Sequence, residues 1–213
     1  MNRTILIILA LCAITSAAYG QRPPVKCTED SPERRGEEGC TVLANRALVG
    51  RLPKSVYWHI DRFDSLETAK KAAGPNGVAA EAHGSFWLMT VEAKTNDHHG
   101  GHHVAWIGPL KLPAAHSYSM RVQSSLLMPG ARTPAHTHPG PEVIYIVDGE
   151  QCMETPNAGL HLSAGQSFVV PGNVAHRGRP IGATARRALA MNLYDTAHPV
   201  SHDLGDVSLV SCK

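Results

Sequence analysis

The chain has 213 residues and a formal charge of +2. The length suits one domain, since all-β sandwiches and barrels routinely fill it as a single unit. The charge is too small to imply nucleic acid or an anionic membrane surface as a partner.

In chain order, residues 1–20 read as a secretory signal peptide. Arg3 precedes an apolar run over 5–11 that continues to Ile14, and small residues stand at Ala17, Ala18 and Gly20. Cleavage after Gly20 leaves Gln21 as the new N-terminus; cleavage after Ala18 is the alternative. A single membrane anchor is the competing reading, but the run falls short of the ~20 residues that a bilayer span needs. The expectation is an exported protein, periplasmic or secreted, with no membrane contact after the signal is removed. Cys12 leaves with the leader, and Cys27, Cys40, Cys152 and Cys212 remain, an even number in an oxidising compartment. Three pairings are open. Cys27 with Cys40 is favoured because the Gly- and Glu-rich segment between them has little apolar content to hold it. Cys152 with Cys212 would then pin the C-terminal tail, and four reduced thiols are the alternative.

Residues 21–52 are rich in Pro, Glu, Arg and Gly and read as a surface arm. Residues 53–116 read as a β-rich extension with strands at 56–63, 85–93 and 104–107. One short helix interrupts it at 65–74, capped by Ser65 or Asp64 and stopped by Gly74-Pro75. Further strands follow at 119–127, 150–154, 167–170 and 187–194, separated by Gly, Pro and Asn turns, within a barrel expected over 117–200 and before a tail at 201–213. Such spacing argues for an all-β sandwich or barrel. Along the last strand Leu189, Met191 and Leu193 alternate with Ala190, Asn192 and Tyr194, as expected when one face is buried.

The most informative stretch is residues 130–149, GARTPAHTHPGPEVIYIVDG. His136 and His138 are two apart, so in an extended strand they share a face. Pro139-Gly140-Pro141 must turn, and Glu142 begins the returning strand. All three side chains can then converge on one metal ion. A second stretch, residues 165–176, runs strand, Pro-containing turn and histidine, and supplies a fourth ligand in His176.

These two stretches resemble the cupin motifs. The first motif is glycine, five residues, His-x-His, three or four residues, Glu, six residues, glycine, and it is matched by Gly130, His136, His138, Glu142 and Gly149. The second is glycine, five residues, Pro-x-Gly, two residues, His, and it is matched by Gly165, Pro171 and His176. Asn173 replaces its second glycine, a mild departure because Asn tolerates positive φ. Pro180 stands where the family often has an asparagine. The resemblance implies an all-β double-stranded β-helix, the cupin jelly-roll barrel, with the N-terminal β-rich extension and one short helix outside it. It implies a divalent transition metal inside, held by His136, His138, Glu142 and His176. That mixed nitrogen and oxygen set suits Fe or Mn first, with Zn, Ni or Cu also compatible. Histidines lining a barrel without metal are the alternative. By resemblance only, the chain would also pair as a homodimer.

If Glu142 points inward, Ile144 and Ile146 do too, while Val143, Tyr145 and Val147 face the other side, which makes Tyr145 a packing residue rather than a catalytic acid. Met128, Phe168, Met191 and Leu193 are candidates to line the open coordination position. No residue stands out as a base; His116, His161 and His198 read as exposed loop histidines. The run Asp97-His98-His99-Gly100-Gly101-His102-His103 is a second metal-like feature whose simpler reading is a solvated loop. The extension with Trp58, Trp87 and Trp106 reads as strands that extend the barrel's sheets and cover an edge, with a second barrel as the alternative. Three functions compete on this footing. They are a dioxygenase-like metal-dependent oxidoreductase acting on a small molecule, a non-redox lyase, isomerase or hydrolase, and a non-enzymatic small-ligand-binding protein.

Overall fold

A computed structural model describes residues 22–29, 38–94 and 99–213. The expected signal peptide lies outside the described residues, as do Asp97 and His98. The described residues form strands and one short helix, in a jelly-roll β architecture. A six-stranded sheet has the order β1 (Cys27–Glu29), β2 (Gly39–Ala47), β7 (Tyr118–Leu127), β14 (Arg186–Asp195), β9 (Glu142–Asp148), β12 (Ser167–Val170). Opposite it stand a three-stranded sheet of β11 (Gly159–Ser163), β10 (Glu150–Glu154) and β13 (Arg177–Pro180), and a short pair of β15 (His202–Asp203) with β8 (His136–Thr137). A separate four-stranded sheet has the order β4 (Val78–Ala82), β5 (Ser85–Glu92), β3 (Val56–Phe63), β6 (His102–Leu110).

The six-stranded sheet is buried on both faces, and the side-chain alternation of its three central strands shows how. Met191 pairs with Val143 on one side and Val122 on the other, and all three join Leu189, Leu193 and Met120 in one apolar cluster. The next residues along, Ala190, Ile144 and Gln123, also pair and point the opposite way, into the barrel. The apolar cluster is completed by the four-stranded sheet: Val56, Trp58 and Ile60 of β3, Trp87, Met89 and Val91 of β5, and Ile107 of β6 pack into it. Trp58, Ile60, Met89, Met191 and Leu193 are all fully enclosed. Burying a side chain of this size stabilises by about 1.5–3 kcal/mol, so this interface is the main apolar core.

Strands β3 to β6 of the 53–116 extension therefore cover a face of the barrel rather than extending its sheets at an edge. They form one sheet and no second barrel. The physical reason is their alternation, which offers one unbroken apolar face to the equally apolar outer face of β7, β14 and β9. The surface-arm reading of residues 21–52 also needs correction. β2 runs antiparallel to β7, with Cys40 opposite Ser125 and Val42 almost fully buried. The charged run before it masks a β-prone Cys-Thr-Val-Leu-Ala segment.

Two disulfides, Cys27–Cys40 and Cys152–Cys212, match the favoured pairing. The first links residues directly opposite each other in the parallel β1–β2 pair. Helix α1 (Leu66–Ala72) starts at Ser65, whose Oγ accepts from the Thr68 N–H at 3.1 Å, and Lys70 and Lys71 favour its carbonyl end. No helix among the described residues is long and apolar enough to cross a membrane.

Candidate metal centre

His136 and His176 face each other across a two-way backbone bridge, each N–H donating to the other's carbonyl at 3.0 Å. His138 and Glu142 sit on either side of the Pro139-Gly140-Pro141 turn. Gly140 is required there, since a Cβ would lie 1.9 Å from the Leu193 carbonyl of β14. Asn173 takes φ 64°, the left-handed conformation expected where the motif often has glycine, and its N–H donates to the His138 carbonyl at 2.7 Å. The turn that carries His176 is thus locked to the turn that carries His138.

Each imidazole is oriented by a backbone carbonyl. Nδ1 of His136 bonds the Pro134 carbonyl at 2.8 Å, Nδ1 of His138 that of Val200 at 2.6 Å, and Nδ1 of His176 that of Val174 at 2.8 Å. A carbonyl can only accept, so each Nδ1 carries a proton and each Nε2 is the nitrogen turned toward the other three side chains. His176 Nε2 is 2.9 Å and His138 Nε2 3.6 Å from the Glu142 carboxylate. The ligand atoms of His136, His138, Glu142 and His176 all lie within 4.8 Å of one another, the one such convergence among the described residues.

The electrostatics suit a cation. Burial by itself would raise the Glu142 carboxyl, but His138 and His176 beside it hold it well below the usual carboxylate range. Burial brings His136 down to about 4, against the opposing pull of Glu142, so this imidazole is a neutral donor at neutral pH. Burial also works to lower His176, yet the hydrogen bond and charge of Glu142 leave it raised. His138 Nε2 is buried with no hydrogen-bond partner among the described residues, a cost that a coordinated metal would remove. The donor set, its tautomers and this orphaned nitrogen all fit a divalent metal; the set does not by itself select which.

The four residues open into a cavity of about 530 Å³. Leu127, Ile144, Met153 and Ala190 form its apolar wall, and Gln123, Gln151 and Arg186 bring polar groups to it. None of the four expected lining residues is there. Met191 and Leu193 face the apolar core on the far side of β14, Phe168 packs beside Ile144 and Ile146, and Met128 is exposed. Large apolar residues mark the packed face of these strands, and the cavity side carries smaller or polar ones. Tyr145, by contrast, packs in the apolar core as its alternation with Glu142 requires.

The Val200 carbonyl and the β8–β15 pairing, which fix His138 and His136 from the C-terminal segment, have no signature in the sequence because backbone acceptors are independent of residue type. Pro134 and Val174, each two residues before its histidine, are a local pattern that could have been read. His116, His161 and His198 are exposed, as expected. In the other histidine cluster His102 is exposed, but His99 contacts Glu92 at 2.9 Å and His103 contacts the buried Asp61 at 3.2 Å on the outer face of the four-stranded sheet. These two are docked rather than loosely solvated.

Comparison with known proteins gives one family: the model described as "Cupin domain" matches residues 124–191. Among solved structures, a cupin-like protein from Thermotoga maritima is 21% identical with a TM-score of 0.37, over 43% of this chain and 67% of that one. An oxalate oxidase in complex with the substrate analogue glycolate is 21% identical with a TM-score of 0.34, over 41% of this chain and 46% of that one. A salicylate 1,2-dioxygenase from Pseudoaminobacter salicylatoxidans in complex with gentisate is 20% identical with a TM-score of 0.32, over 34% of this chain and 20% of that one. The chain thus spans less than half the length of either enzyme. No curated protein matches the chain. Residues 124–191 are a cupin domain.

Proposed function

We propose that this cupin-domain protein is an exported, metal-dependent oxidoreductase, dioxygenase-like, that acts on a small organic molecule. His136, His138, Glu142 and His176 are its metal ligands in this reading. The observation that carries it is the convergence of three inward Nε2 atoms and one carboxylate at the wall of a cavity with both apolar and polar lining. Iron or manganese held there would supply a redox-active centre with an open position for oxygen or substrate.

The chain's own residues do the rest. Backbone carbonyls at Pro134, Val200 and Val174 keep the three rings in the ligating tautomer, as outer partners of metal histidines do. Leu127, Ile144 and Met153 exclude water, and Gln123 and Gln151 orient the bound molecule. Export is supported by two disulfides, each joining a terminal segment to the barrel.

The test is oxygen consumption by metal-loaded protein with a panel of phenolic and 1,3-dicarbonyl compounds. Oxygen uptake with one of them, lost in Glu142→Ala, is expected. Turnover that proceeds without oxygen on a redox-inert metal would replace this reading with a non-redox one, and tight ligand binding with no turnover would replace it with a binding role.

A further inference from the structure

Arg186 opens β14 and lies on the same face as Ala188 and Ala190, so its side chain enters the cavity that the metal ligands border. It is 3% exposed, among the most enclosed charged groups in the protein. A guanidinium offers five N–H donors. Among the described residues its side chain makes one hydrogen bond, from Nη1 to Ser125 Oγ, and forms no ion pair. Nε is buried and meets no acceptor.

Such a group needs an explanation. A buried cation without an ion pair is costly, and nothing about packing requires it at the position opposite Leu127. Burial brings it down only to about 10, so it keeps its charge at neutral pH. Glu142 is the one carboxylate whose charge reaches it, and that carboxylate is engaged by His138 and His176. With Nη1 held by Ser125 and Nε buried, the donor left free for a ligand is Nη2. A charged N–H donor of this kind is matched by a carboxylate oxygen, which accepts in a charge-assisted hydrogen bond.

We propose that Arg186 is the anion-binding residue of this cavity and that its ligand is a small organic acid, whose carboxylate accepts from Nη2 while its carbon skeleton lies against Leu127, Ile144 and Met153. The proposal rests on the metal-site reading only for what happens to the acid once bound. Ser125 is a positioning residue that fixes the guanidinium through Nη1.

The experiment is calorimetric titration of the full chain, metal-stripped and metal-loaded, with benzoate against benzamide and acetate against acetamide. The members of each pair differ in charge and hardly in shape. Stripped wild-type protein should prefer one carboxylate over its amide by about tenfold, the scale of a charge-assisted hydrogen bond. Arg186→Met should bind acid and amide equally. Arg186→Lys should retain charge but lose the donor position that Ser125 fixes, cutting the preference to a few-fold. Ser125→Ala should weaken the acid by about threefold and leave the amide unchanged. Circular dichroism confirms folding, and if Arg186→Met does not fold, the lysine variant decides. An undiminished preference in the lysine variant overturns the proposal, as does equal binding of acid and amide by wild type in both metal states. A preference seen only with metal and surviving in Arg186→Met means that the carboxylate binds the metal, which overturns the Arg186 subsite and leaves the metal reading standing. A preference in stripped protein that Arg186→Met abolishes supports the subsite even if the protein never loads a metal.

Discussion

The two faces of β7, β14 and β9 are built to opposite rules from alternate residues of the same strands. On the outer face Met120, Val122, Val143, Leu189, Met191 and Leu193 meet the N-terminal sheet in a dry core. On the inner face Gln123, Ile144, Ala190 and Arg186 leave a cavity of about 530 Å³ beside the convergent side chains of His136, His138, Glu142 and His176. The lesson is that size and apolarity along these strands report where the protein stores stability, while the site lies on the side with smaller and more polar residues.

This division can be broken first on the dry side. Leu193→Ala should cost about 4 kcal/mol, within the usual range for a fully buried leucine, with metal content unchanged. Denaturant unfolding with elemental analysis on the same samples checks both halves; loss of metal in the folded variant would mean that the faces are not independent. Removing the Cys27–Cys40 bridge, whose two residues border the cavity, should cost about 3 kcal/mol from the 13-residue separation it closes. It should also loosen the cavity rim, read as faster hydrogen exchange in β1 and β2, whereas Leu193→Ala should accelerate exchange in β14 and β3.

A smaller effect concerns the far wall of the barrel, which relies on a charge cluster. Burial would raise the Glu154 carboxyl, but hydrogen bonds from Arg179, Ser211 and Arg177 hold it below its ordinary value. Its folded pKa is therefore depressed, so its contribution is complete above the unfolded value of 4.5 and is lost as pH falls through the lower folded one. Urea midpoints should drop below pH 4.5 in the wild type, and less so in Glu154→Gln. Both arginines are partly exposed, which keeps this term below that of the disulfide. Smallest of all, Ala190→Leu should cost less than about 1 kcal/mol, because the added atoms enter the cavity, where overpacking the dry core would cost about 1–3. Melting curves and ligand affinity together test it: stability should hold while binding in the cavity falls.

How far the sequence reveals this arrangement depends on whether a landmark fixes the phase of a strand. In β9 Glu142 supplies one, and from it Ile144 and Ile146 read as inward and Val143 and Tyr145 as outward, as they are. The ligands were legible because three of them lie within seven residues of one hairpin, and Asn173 was readable as a left-handed substitute for glycine. In β14 no ligand fixes the phase. Met191 and Leu193 look like cavity wall until the N-terminal sheet, which packs on them from across the chain, is known. β2 was hidden for a related reason, since its pairing with β7 joins segments about 80 residues apart. Arg186 and its neighbour Arg187 are indistinguishable by residue type, yet one is buried in the cavity and the other pairs with Asp148 at the surface.

The four convergent side chains of His136, His138, Glu142 and His176 should hold a metal. Elemental analysis of natively purified protein decides it, with His136→Ala and His176→Ala prepared in parallel and shown to be folded. About one equivalent of a divalent transition metal per chain is expected in the wild type, falling to background in both variants, since losing a direct ligand exceeds the ~10–100-fold loss typical of outer partners. Wild-type protein without metal, or variants that retain the wild-type content, would contradict it.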